Sequence, residues 1–181
     1  IHFALSYSDN KLFKSHPHNL ACNAFCLGLA FYILNYHAIF EKPRLYFLFG
    51  PQGFKQIWDM IFAAKEKEYC LITEGESFLD FVKEKYILDQ IIKKKKELGI
   101  RSKQIISDSE YARKIVAKDA RENRSSKILP KSVGKLPFTE VICGNFVAFI
   151  SPRFENNLFV VEDALFAKTR QSVFDALWEK Y

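Results

Sequence analysis

Two apolar runs, FTEVIC (138–143) and FVAFIS (146–151), are separated by Gly144-Asn145 alone, and no other feature limits the fold of this chain so strongly. A two-residue connection cannot carry a crossover, so the flanking runs have to be neighbouring antiparallel strands, and Gly and Asn tolerate the positive φ that such a tight turn demands. Upstream, the strand-like runs RLYFLF (44–49), EYCLIT (68–73), SKQIIS (102–107) and SKILP (126–130) are spaced by helical patterns. Strands joined through helices pair in parallel. The fold class that meets both conditions is α/β, with a mixed β-sheet covered by helices.

RLYFLF is apolar enough to be a buried strand, and Gly50-Pro51-Gln52-Gly53 follows it as a turn. Phe54, Ile57, Trp58, Ile61 and Phe62 then fall on one helical stripe. Ser77 to Leu98 reads as one helix with Phe78, Phe81, Val82, Ile91 and Ile92 inward, ended by Gly99. Lys93 to Lys96 are expected as its solvated last turn, where positive charge suits the helix dipole. Ser107 with Glu110 has the form of a capping box for a helix through Ala120, with Tyr111, Ala112, Ile115 and Val116 inward and Arg113, Lys114, Lys118 and Arg121 outward. LFVV (158–161) is the last strand, and a helix ending on Trp178 and Tyr181 closes the sequence.

The chain of 181 residues, 49% apolar with 18 phenylalanines, has the means to bury one core. A formal charge of +6 is compatible with acidic partners, although 21 acidic residues are interspersed among the basic ones. Cys22, Cys26, Cys70 and Cys143 lie among apolar residues without zinc-site spacing and are expected as buried, reduced thiols. Leu20 to Phe40 has the length of a membrane span, but Asn23, Asn35 and His37 would be costly in hydrocarbon. It is expected as a buried or oligomer-forming helix of a cytoplasmic protein.

Little in the sequence supports catalysis. His16-Pro17-His18 has no companion ligands nearby, so no metal site is expected. Gly50-Pro51-Gln52-Gly53 lacks the remaining features of a dinucleotide or P-loop motif, there is no Gly-x-Ser-x-Gly elbow, and no cofactor is implied. In Glu162-Asp163, Asp163 stands where an N-cap belongs. Glu162 alternates with Val160 along the strand and shares its face, placed to accept hydrogen bonds from a hydroxylated ligand. Arg113, Lys114, Lys118 and Arg121 are better placed than Lys93 to Lys96 to form a basic surface for nucleic acid, without interleaved aromatic residues.

Taken in order, PRLYFLFGPQGFKQIWDMIF, ILPKSVGKLPFTEVICGNFVAFIS and LFVVEDALFAKTRQSVFDALW resemble the C-terminal effector domain of TrmB-type transcriptional regulators, a sugar-sensing archaeal and bacterial family. The resemblance covers Pro43 to Tyr181. It implies a phospholipase-D-like fold over residues 43–181, with residues 1–42 as an N-terminal helical extension. It also implies a domain without activity, because the enzymes of that fold use His-x-Lys motifs and none of the four histidines here is followed two residues later by Lys. By the same resemblance a sugar or similar small polar effector is bound by Asn145, Asn157 and Glu162, and the chain is a homodimer. DNA is then contacted through a winged-helix domain not evident in this chain. Two other readings stand beside this one: nucleic-acid binding by the basic surface at Arg113–Arg121, and a structural oligomerisation module.

Overall fold

The computed structural model describes residues 42–134, 136, 138–151 and 157–181. Their strands form one seven-stranded mixed sheet. The elements are β1 (Arg44–Phe49), α1 (Gly50–Ala63), β2 (Glu68–Thr73), a 3₁₀ turn (Glu76–Asp80), α2 (Glu84–Tyr86), a π-helical stretch (Ile87–Ile92) and α3 (Lys93–Glu97). They continue through β3 (Arg101–Ser107), α4 (Glu110–Val116), a 3₁₀ turn (Asp119–Glu122), β4 (Arg124–Leu129), β5 (Thr139–Cys143), β6 (Phe146–Ile150), β7 (Asn157–Glu162) and α5 (Ala164–Lys180).

The strand order is β1-β7-β6-β5-β2-β3-β4. β2, β3 and β4 are parallel, as their helical connections require, whereas β2 meets β5 antiparallel and the rest of the sheet is antiparallel. The hairpin is present with Cys143 opposite Phe146. Only Gly144 takes a positive φ, +55°, so the turn follows the type II′ pattern and Asn145 is spared that conformation.

One face of the sheet packs on α1. Phe54, Ile57 and Ile61 have no exposed surface, and they meet Leu71, Val141, Ala148, Leu158 and Val160 from the strands. Gly53 makes this contact possible, because a Cβ there would lie 2.8 Å from Leu48 Cβ. The opposite face packs on α5 through Ala167 and Phe174.

Several expectations are corrected. β1 is an edge strand rather than a buried one: Leu45, Phe47 and Phe49 are 56%, 66% and 66% exposed, while Tyr46 and Leu48 pack inward. The helix expected over Ser77–Leu98 is broken. Phe78 and Phe81, three residues apart, both reach Phe54 at 5.4 and 5.3 Å, and a 3₁₀ turn brings such a pair onto one side. The cap of α4 is Ser109, which accepts from the Ala112 N–H at 3.0 Å, not Ser107, which ends β3; α4 stops at Val116 rather than Ala120. Asp163 caps α5 as expected, accepting from the Phe166 N–H at 2.6 Å. Cys70 and Cys143 are buried free thiols, and burial pushes them up to about 11 and about 12. His16, His18, Cys22, Cys26 and Leu20–Phe40 lie outside the described residues. No helix among the described residues is long and apolar enough to cross a membrane.

The largest departure is at the lysine run. Lys95 is 0% exposed, donates to Ser102 Oγ at 2.9 Å and lies 5.9 Å from the centre of the Tyr69 ring. Four successive residues on a helix point all round it, so one of them had to face the sheet. Burial, reinforced by Arg124 and opposed by Glu122 and Asp119, lowers its pKa from 10.5 to about 8. Below pH 8 the ammonium is present in both folded and unfolded chains and the folded state bears its desolvation. As pH rises from about 8 to 10.5, the folded chain releases its proton first and that burden is lifted. The parent should therefore gain about 2–3 kcal/mol of stability relative to Lys95→Met across that window. Urea unfolding of both proteins at pH 7, 9 and 10.5 checks it. Titration of Cys70 and Cys143 is common to both chains and cancels in the difference.

Candidate functional site

Glu162 ends β7, directly opposite Arg44 of β1 on one side and Phe146 of β6 on the other. Strand alternation turns it to the face of Leu158 and Val160, as expected, but at the rim of the sheet, where its side chain retains 19% exposure. Arg44 Nη2 lies 3.0 Å from Oε1 and the Tyr46 hydroxyl donates to Oε2 at 2.6 Å. Asn145 Nδ2 stands 3.5 Å from Oε1, a long contact. The Glu162 hydrogen bond, followed by burial, raises the Tyr46 phenol above its ordinary value.

The structure thus brings two of the three expected ligand residues together. Asn145 reaches Glu162 because the turn that holds it also ties its carbonyl to the Asp163 N–H at 2.8 Å. Asn157 stands at the other end of β7, opposite Phe49, five residues and about 17 Å along the strand from Glu162. Arg44 and Tyr46 were not expected here. Their only sequence signal is their alternate placement on a strand, and it becomes legible once β1 is known to pair with β7.

The other carboxylates with low exposure are engaged. Glu140, 6% exposed, is clamped by Arg170 of α5 through two contacts of 2.6 Å, an arrangement that fastens the helix to β5. Among the described residues no group of three His, Cys, Asp or Glu is arranged to hold a metal ion. A cleft of about 460 Å³ opens at the carboxyl ends of β2 and β3, lined by Glu74, Glu76, Ser107, Asp108 and Ser109, where ligands bind in many open α/β sheets. The Ser107 hydroxyl is buried there without a hydrogen-bond partner among the described residues.

The four basic residues do not share one helix. Arg113 and Lys114 lie on α4, Lys118 precedes the 3₁₀ turn and Arg121 lies within it. Arg113 pairs with Asp108 at 2.6 Å and Lys114 with Glu110 at 2.7 Å. Lys118 and Arg121 make no ion pair with a described residue.

No family model matches the chain, and no curated protein does. Among solved structures it is similar to TrmBL2, described as an archaeal chromatin protein with a novel mode of DNA binding. The TM-score is 0.52 and the identity 19%, over 90% of this chain and 63% of that one. The chain therefore spans less than two thirds of that protein, and at this identity what the two share is an α/β fold.

Proposed function

We propose that residues 43–181 are a non-catalytic sensing and dimerisation domain of a transcriptional regulator, taking a sugar or similar small polar molecule at Glu162. The protein is cytoplasmic, and DNA is reached through a winged-helix domain not evident in this chain. The observation that carries the reading is the gathering of Arg44, Tyr46 and Asn145 around one partly exposed carboxylate. A sugar hydroxyl both donates and accepts, so a diol can replace the long Asn145 contact and bridge the amide to the carboxylate. The fold likeness to a chromatin protein supports a regulatory rather than an enzymatic setting.

A thermal-shift scan against mono- and disaccharides, their phosphates and nucleotides tests the site. A ligand at about a hundred times its dissociation constant adds roughly 2.7 kcal/mol, or roughly 5–10 °C in a domain of this size. That shift should vanish in Glu162→Ala. Silence across the panel, or a shift the variant keeps, overturns the assignment. A shift that instead disappears in Asp108→Ala moves the ligand to the cleft beyond β2 and β3.

A second reading, nucleic-acid binding by the chain itself, is favoured by the absence of an ion pair between Lys118 or Arg121 and any described residue. It requires affinity for a DNA duplex that falls with salt and a salt slope reduced by about one for each of these residues reversed in charge. An unchanged slope rejects it.

A further inference from the structure

We infer that the chain holds a second binding site, for a small carboxylate anion, in the partly open cavity between β2, β3 and the helical segments over residues 76–97. The cavity measures about 70 Å³. Its floor is the row of alternate residues that β2 and β3 turn to one face, including Tyr69, Ser102 and Gln104; Trp58 of α1, Lys95 of α3, Tyr111 of α4 and Arg124 of β4 complete its polar lining. It is separate from the Glu162 cluster, since β6 and β5 stand between β7 and β2.

The polar groups around this space are donors in excess. Trp58 Nε1 and Gln104 Nε2 are buried without a hydrogen-bond partner among the described residues, on side chains of residues 2% and 6% exposed. A buried donor left unmade is destabilising, and two on the wall of one cavity call for acceptor atoms within it. Lys95 adds an ammonium whose one hydrogen-bonding partner among the described residues is the Ser102 hydroxyl at 2.9 Å. Its negative neighbours bind Arg124 instead, Asp119 at 2.6 Å and Glu122 at 2.9 Å. The two carboxylates balance the charges of Arg124 and Lys95 taken together, yet among the described residues none makes an ion pair with the buried ammonium itself.

The volume sets the size of the missing partner. At roughly 30 Å³ per water, the space corresponds to about two waters or a molecule of similarly few heavy atoms. Two waters would satisfy hydrogen bonds but bring no charge to Lys95. Formate or acetate brings both, two acceptor oxygens and one negative charge, and the isoleucine side chains opposite suit a methyl group. The π-helical stretch Ile87–Ile92 contributes Ile87, Ile91 and Ile92 to the lining and leads directly into α3, which carries Lys95. Such stretches occur frequently at functional sites.

The test uses the whole chain at pH 7 with sodium acetate and sodium formate, each against sodium chloride at equal ionic strength. The sequence has two tryptophans, so a ¹H–¹⁵N spectrum contains two indole N–H signals, which Trp178→Phe assigns. Acetate should move the Trp58 signal saturably and leave that of Trp178 in place, with a thermal shift of roughly 5 °C near saturation. Lys95→Met and Gln104→Leu should each abolish both responses, and Glu162→Ala should keep them, which separates this site from the proposed sugar site. Lys95→Met removes a buried charge and is expected to fold; should it not, Gln104→Leu decides. An unmoved Trp58 signal, an equal response to chloride, or a response that persists in either cavity variant overturns the proposal.

Discussion

Arg124→Met should lower the unfolding free energy by about 3–5 kcal/mol, the range found when one member of a buried ion cluster is removed. The Arg124 side chain is 7% exposed and uses three nitrogens: Nε donates to Asp119 at 2.6 Å, Nη1 to Glu122 at 2.9 Å and Nη2 to the Ile115 carbonyl at 2.6 Å. Removing it leaves two carboxylates, 18% and 11% exposed, without their bonded counter-charge or full hydration and with only the more distant Lys95 ammonium to oppose them. Ser126 still donates to Asp119 at 2.9 Å, but a neutral hydroxyl offsets only a fraction of the loss. Arg124→Lys should recover part of the charge and little of the three-way geometry, and so fall between parent and Met variant. Urea unfolding at neutral pH measures all three. A loss below about 1 kcal/mol for the Met variant would mean that water reaches the carboxylates readily.

Phe54→Ala should cost a similar amount, about 3–5 kcal/mol, for a different reason. Phe54 has no exposed surface and stacks on Phe81 at 5.3 Å and 8°, with Phe78 and Trp58 edge-on at 5.4 and 6.2 Å. Together with Trp58, which meets Phe78 edge-on at 5.9 Å, it holds the 3₁₀ turn to α1. Alanine removes apolar surface and leaves a void that rings anchored on separate elements cannot close. Phe54→Leu, which refills most of the volume, should lose less than half as much. Equal losses in the two variants would show that ring stacking, rather than volume, dominates there.

These two sites differ in how far the sequence discloses them. Phe54 belongs to a stripe whose spacing announces both the helix and its inward face, and the hairpin and the strand-helix alternation are equally local, which is why the mixed sheet is legible in the order of residues alone. Arg124 carries no such signal, since its partners come from a helix end and a 3₁₀ turn whose bounds depend on tertiary packing. Lys95 is concealed further: a run of lysines looks uniform, and only the docking of α3 against Tyr69 and Ser102 singles one out. At the rim, Glu162 and Asn145 are legible because one short turn brings them together. Asn157 shows what that reading lacks, for residues grouped by nearness in sequence are placed by the strand at opposite ends of the sheet. Arg44 and Tyr46 depend on a pairing between distant parts of the chain.

That pairing also orders events in time. Arg44 and Glu162, 118 residues apart, are neighbours in the finished sheet. A ribosome adding about 5–20 residues per second needs roughly 6–24 s to deliver the second after the first. Throughout that interval β1 lacks its one neighbour among the described strands, whereas β2, β3 and β4 can align in parallel as soon as each is made. Closing so long a loop is slow and comes last. The half-formed sheet therefore spends seconds with a phenylalanine-rich strand unpaired, and lowering the growth temperature or supplying a chaperone that shields extended apolar segments should raise the yield of folded protein more than any change to the parallel half.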